Sequence, residues 1–163
     1  MPAVLHRADR AQSLAAFPAW VTWTIRVLTL AGVAVATYLT VVHYDTKVAL
    51  LCPESSTINC AEVTTSPESL VFGVPVAVLG LAYYAIQAVL AWLPRRVQRR
   101  AFEVVRLVLA IGAMGFVLYL VWAEVVRIGA ICLWCTSVHV ITLVVLLVLA
   151  YAWVTYRPSA QGG

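Results

Sequence analysis

Residues 128–156 read IGAICLWCTSVHVITLVVLLVLAYAWVTY. After Arg127 the run holds no Asp, Glu, Lys or Arg, and it is longer than the roughly 20 residues a helix needs to cross a bilayer core. In hydrocarbon the backbone must satisfy its own hydrogen bonds, so so long a run predicts a helix and not a barrel strand. Two cysteines, Cys132 and Cys135, stand at its head, and His139 follows four residues later. The stretch therefore decides two things together: a membrane fold, and thiol chemistry where one helix enters the bilayer.

The rest of the chain agrees with the first reading. Of 163 residues, 63% are hydrophobic and 11% charged, whereas soluble domains carry about 25% charge. Three further runs are long enough to span: Trp20 to Tyr44 (broken by Arg26), Leu70 to Leu93, and Val104 to Ala123 with Arg106 near its start. Arg26 lies close enough to the start of its run to snorkel to the interface. The first run is too long and lacks the small-residue cleavage site of a signal peptide, so it is expected to remain as a span. The predicted fold is an all-α membrane protein, a four-transmembrane-helix bundle with an extracytoplasmic cap loop between helices 1 and 2. Residues 1–19 form a cytoplasmic N-terminal segment, 20–156 the membrane domain with its outer loop at 45–69, and 157–163 a cytoplasmic tail.

Charge sets the orientation. Arg7, Arg10, Arg95, Arg96, Arg99, Arg100 and Arg157 fall on the side of the termini, and only Lys47 and Arg127 on the other. The positive-inside bias places the termini in the cytoplasm of a plasma (inner) membrane protein and the loops at 45–69 and 124–129 outside. The net charge of +4 arises from these loop arginines and implies no nucleic acid.

The chain has four cysteines, Cys52 and Cys60 in the outer loop and Cys132 and Cys135 at the outer end of the last span. All lie on the side where disulfides persist. Positions i and i+3 share a helix face within disulfide reach, and the first turn of a helix favours thiolate, the species that attacks disulfides. The segment between Cys52 and Cys60 is rich in turn formers. A fixed pair at the membrane and a mobile pair above it suit an electron relay. Two inert structural disulfides, a four-cysteine zinc site and unreactive buried thiols are the competing readings. The Cys-x-x-Cys at a helix start argues against inert bridges, and the eight-residue spacing of the loop pair argues against zinc; no metal is expected.

These residues resemble the bacterial, disulfide-forming branch of the vitamin K epoxide reductase family. The resemblance is carried by the loop pair, Ser66 six residues after Cys60, Val71-Phe72-Gly73-Val74-Pro75 opening a helix, and Cys132-Leu-Trp-Cys135, in that order over Trp20 to Tyr156. It implies a quinone-linked thiol oxidoreductase that promotes disulfide formation in exported proteins. Cys52 would exchange with a separate thioredoxin-fold, DsbA-like partner, and Cys60 with Cys132. Cys135 would pass electrons to a membrane quinone of menaquinone, ubiquinone or vitamin K type. Ser66 would belong to a half-helix shaping the quinone pocket.

Further pocket residues are expected around this core. His139 lies one turn below Cys135, and an imidazole in a span is costly unless it faces a polar cavity. It either serves a quinone carbonyl or is satisfied by a backbone carbonyl or Thr142. Ser69 falls near where some family members carry a quinone-binding asparagine. Phe72 and Trp134 are expected to wall the ring, as are Tyr83 and Tyr84 less directly. Trp20, Trp23, Trp92, Trp122 and Trp153 read as interfacial anchors, as do Glu124 and Arg127. Quinone or quinone-epoxide reduction for its own sake and a non-enzymatic membrane scaffold are the rival functions.

Overall fold

The structure, a computed structural model, describes residues 17–45, 47–48, 50–93 and 100–156. The expected cytoplasmic tail, Arg95, Arg96 and Arg99, and all of the N-terminal segment before Phe17 lie outside the described residues. Helix α1 spans Ala19–Tyr44, α2 Cys60–Thr65, α3 Val76–Trp92, α4 Arg100–Trp122 and α5 Leu133–Thr155. Among the described residues, three helices are long and apolar enough to cross a membrane: α1, α5, and α4 with its continuation to Ile128. The fourth, α3, is apolar but has only 17 residues.

The shortening of α3 corrects the predicted run of Leu70 to Leu93. Its first residues instead make a small hairpin, in which Leu70–Val71 (β1) pairs antiparallel with Val74–Pro75 (β2). Phe72 (φ 51°) and Gly73 (φ 80°) form its two-residue turn. A primed hairpin turn needs positive φ at both central positions. Gly73 adopts it freely, whereas Phe72 does so at a cost of about 1–2 kcal/mol. Pro75 then caps α3.

The polarity of the bundle is inverted relative to a soluble protein. Val27, Val89, Leu118 and Leu147 are each more than half exposed. Thr29, Gln87, Glu103, Arg106, Glu124, His139 and Thr142 are buried. Lipid accepts apolar surface, so polar groups are drawn inside. Arg106, near the start of its predicted run, turns inward. Its Nη1 contacts Glu103 at 3.3 Å, and its backbone carbonyl accepts from Gln87 Nε2 at 3.0 Å. Arg26 donates from Nε to the Ala91 carbonyl at 3.0 Å, between the rings of Trp23 and Trp92 at 5.3 and 4.7 Å. It thus satisfies one of the last carbonyls of α3 and ties two of the interfacial tryptophans to a cation.

Val21, Ile25, Ala91, Ala110, Val145, Leu149 and Ala152 make a core shared by all four long helices. Above it, Tyr84 reaches from α3 to α5, its hydroxyl donating to the Val138 carbonyl at 2.9 Å or pairing with Thr142 Oγ1 at 2.8 Å. Gly32 of α1 permits this approach, because a Cβ there would overlap the Tyr84 ring.

The predicted loop at 124–129 is largely helical. Helix α4 runs on as π-helix over Ala123–Ile128, closed by Gly129 in the left-handed conformation (φ 77°). The Gly129 N–H bonds the Glu124 carbonyl, five residues back, at 2.9 Å. The wider turn shifts the angular phase of the helix, and Ala123 and Glu124 are buried on it.

Candidate functional site

The cap is stitched to the strand-like approach to α5. Ile58 pairs with Ile131 in a parallel bridge, Asn59 N–H bonds the Ile131 carbonyl at 3.2 Å, and Ile131 N–H bonds the Thr57 carbonyl at 2.9 Å. Asn59 then caps α2, its Oδ1 accepting from the Glu62 N–H at 3.0 Å while its Nδ2 donates to Glu62 at 3.1 Å. Cys60 is the first residue of that helix. These bonds set Cys60 and Cys132 in one buried cluster with Val63 and Ala130, and Cys52 and Cys135 pack against it. Residues 8 to 83 positions apart in sequence thereby converge.

The two pairs differ in redox state. Cys52 and Cys60 are joined in a disulfide with Cα atoms 6.2 Å apart. Cys132 and Cys135 are free thiols, the first buried and the second partly so. Cys132 is the N-cap of α5, and its Sγ accepts from the Cys135 N–H at 3.3 Å. Its pKa is held below the ordinary thiol value, first by a hydrogen bond from the Cys135 thiol and then by backbone N–H groups of Cys135 and Trp134, against the cost of burial. The Cys135 thiol and, after it, the helix start thus favour Cys132 as thiolate.

Beside this pair lies a cavity of about 710 Å³ enclosed by α1, α3, α4, α5 and the cap. That volume falls within the roughly 300–1,000 Å³ of small-molecule sites. Cys135 and His139 line it, as do Ser66, Ser69, Glu68, Glu124 and Tyr83, among mainly apolar side chains. Such a lining fits a quinone, a flat apolar ring with two carbonyls and an apolar tail. The Tyr83 hydroxyl sharpens the fit: it is buried without a hydrogen-bond partner of good geometry, although the Gln87 amide stands near it.

The expected pocket residues divide. Ser66, Ser69 and His139 lie on the cavity wall with Cys135. Both serine hydroxyls already donate to backbone, Ser66 to the Val63 carbonyl at 2.8 Å and Ser69 to the Ser66 carbonyl at 2.7 Å. They meet a ligand as acceptors unless those bonds break. Thr142 spends its hydroxyl on Val138 and Tyr84, and His139 makes no hydrogen bond with a described residue. Phe72 and Trp134 do not line the cavity. Phe72 sits on the hairpin tip, fully exposed. The Trp134 indole N–H instead donates to the Leu51 carbonyl at 2.7 Å, and its ring packs on Tyr38 with centroids 4.8 Å apart. The Tyr38 hydroxyl accepts from the Leu51 N–H at 3.0 Å. Two helices therefore grip both backbone groups of the residue next to Cys52.

Glu124, expected to anchor at the interface, is 5% exposed and lines the cavity. Arg127, three residues on, is exposed and paired with Glu68 at 3.6 Å. A polar residue just beyond an apolar run gives no sign of a π-turn that carries it inward.

The model of the vitamin K epoxide reductase family matches residues 23–150, most of the chain. A search of curated proteins returns no match. The chain belongs to the vitamin K epoxide reductase family, a family of membrane oxidoreductases, and membership implies quinone-linked thiol oxidoreductase activity.

Proposed function

We propose that, as a member of this family, the protein oxidises a separate thioredoxin-fold, DsbA-like partner and passes the electrons to a membrane quinone, so driving disulfide formation in exported proteins. In this reading α1, α3, α4 and α5 all cross the bilayer, with α3 at about 25 Å near the short limit for a span. The termini are cytoplasmic and the cap is extracytoplasmic. One observation carries the proposal: a bonded loop pair and a free helix pair share one buried cluster, and Cys135 opens from it into an apolar cavity.

The exchanges conserve electrons. A partner thiolate attacks Cys52, the Cys52–Cys60 bond breaks, and Cys60 leaves as thiolate. Cys60 attacks Cys132 of an oxidised Cys132–Cys135 pair, and Cys135 leaves as thiolate. The partner's second thiol releases the partner as a disulfide and frees Cys52. Cys52 then reclaims Cys60, which leaves a loop disulfide above a Cys132–Cys135 dithiol. A bound quinone supplies the acceptor for two electrons and two protons, becoming quinol. Cys135, His139, Ser66 and Ser69 would hold it. The protein contributes position, a dry wall and a stabilised Cys132 thiolate.

The test is anaerobic quinol formation by purified protein with a reduced thioredoxin-fold donor, compared with Cys135→Ala. Turnover that disappears in the variant is expected. A wild type inert with several donors and quinones would overturn the reading.

A further inference from the structure

The relay leaves one buried group without a role. Glu124 is among the few ionisable side chains inside the bundle, and it lines the cavity into which Cys135 opens. Its nearest sequence cation, Arg127, is paired with Glu68. Glu124 and Cys135 line one cavity, and Ile128 of the same π-turn packs against the buried cluster that holds Cys60 and Cys132; a negative charge on Glu124 opposes the Cys132 thiolate. A buried carboxyl with no cation beside it is costly as a structural element. Next to a sulfur that cycles between thiol and thiolate, however, it can exchange a proton.

Resting on the function proposed above, we propose that Glu124 is the proton carrier between the Cys132–Cys135 dithiol and the acceptor in the cavity. Oxidation of the dithiol breaks two S–H bonds, makes one S–S bond and releases two electrons and two protons. A quinone takes up the same two electrons and two protons to become quinol. Glu124 as carboxylate takes the Cys132 proton on a carboxylate oxygen, leaving the thiolate that forms the new bond. As carboxylic acid it gives that proton up to an acceptor oxygen in the cavity and returns to carboxylate. The second proton passes from the Cys135 thiol, which lines the cavity itself, to the acceptor's other oxygen. Two like charges so near one another are unfavourable, so the Cys132 and Glu124 sites hold one negative charge between them during the cycle.

A merely structural Glu124 would serve as a hydrogen-bond acceptor toward Cys132. Glu124→Gln keeps a carbonyl oxygen on the Cys132 side and removes the negative charge together with the exchangeable proton. The other titratable groups around the site are His43 on α1, Glu68 on the turn after α2, Tyr83 and Tyr84 on α3, Arg127, Cys135 and His139; none is altered. Three measurements on full-length E124Q separate the possibilities. Quinol formation is expected to fall by about 10²-fold or more, the scale of general acid–base catalysis. Reduction of the Cys52–Cys60 disulfide by the partner is expected to be unchanged. Without quinone, the pH profile of Cys132 alkylation in reduced protein is expected to move to lower pH, because the opposing charge is gone. Glu124→Asp is expected to restore part of the turnover. Wild-type quinol formation in E124Q, or an alkylation profile identical to wild type, would overturn the proposal. If wild type itself forms no quinol, the relay fails, and the alkylation profile still decides whether Glu124 and Cys132 share a proton.

Discussion

Replacing Trp134 by phenylalanine tests what the tryptophan of the Cys-x-x-Cys is for. The ring would still pack on Tyr38, but the indole N–H that holds the Leu51 carbonyl would be gone. A neutral hydrogen bond contributes about 0.5–1.5 kcal/mol net, which at RT of about 0.59 kcal/mol makes opening of the cap roughly 2- to 13-fold more frequent. The Leu51 carbonyl is solvent-accessible, so water compensates in part and about threefold is the expected increase. Hydrogen exchange followed by mass spectrometry over residues 50–58 reads this directly, with α1 as the internal reference. Tyr38→Phe removes the acceptor of the Leu51 N–H and should speed exchange in the same segment. Because Trp134 does not line the cavity, the KM for quinone should stay within a factor of about 2, well below the effect of losing a ring contact. Unchanged exchange over 50–58 together with a raised quinone KM would refute the argument and return Trp134 to the wall of the ring.

Other perturbations address different parts of the molecule. Cys135→Ala should shift the pH midpoint of Cys132 alkylation upward, since the Cys135 thiol is the foremost stabiliser of the Cys132 thiolate; Cys135→Ser, which retains a donor, should shift it less. Gly32→Ala forces a methyl group onto the Tyr84 ring. Overpacking of this kind costs about 1–3 kcal/mol, or about 2–12 °C of thermal midpoint in detergent for a chain of this size. Glu103→Gln removes the carboxylate from buried Arg106. Orphaning one member of a buried pair costs about 3–5 kcal/mol, whereas Glu103→Leu with Arg106→Met together should cost far less by equilibrium unfolding.

Much of the fold was legible because lipid imposes a simple rule: long uncharged runs become helices. The ends of α1 and the tail of α5 follow that rule closely, whereas the head of α5 begins at Leu133, five residues after the run does. It fails at Leu70 to Pro75, where apolarity continues but the backbone turns. Phe72-Gly73 and Pro75 held the local signal, since a glycine beside a bulky residue marks a turn and proline opens a helix. Nor does position in a run settle an arginine's direction. Arg106 looks like an interfacial anchor by position alone, but Glu103 three residues earlier and Gln87 on a neighbouring helix give it an interior partner set.

At the site, residue type was more legible than residue direction. The cysteines were conspicuous because their chemistry depends on spacing and on a helix start, both written in one dimension. Trp134 was misplaced because its partner is a backbone carbonyl 83 positions away, and carbonyls leave no mark in a sequence. Glu124 was misplaced because its direction is set by the π-turn closing at Gly129, whose φ of 77° lets α4 end one wide turn later than an α-helix would. That turn also delivers the chain to Ile131, the residue stitched to the cap, and then to Cys132. A single irregularity therefore sets three things at once: the inward carboxyl, the docking of the loop disulfide and the capping thiol of α5. Substituting Gly129 with a β-branched residue, which disfavours positive φ, should disturb all three together, whereas Glu124→Gln should leave the loop docking and the cap in place and alter only proton transfer and the titration of Cys132.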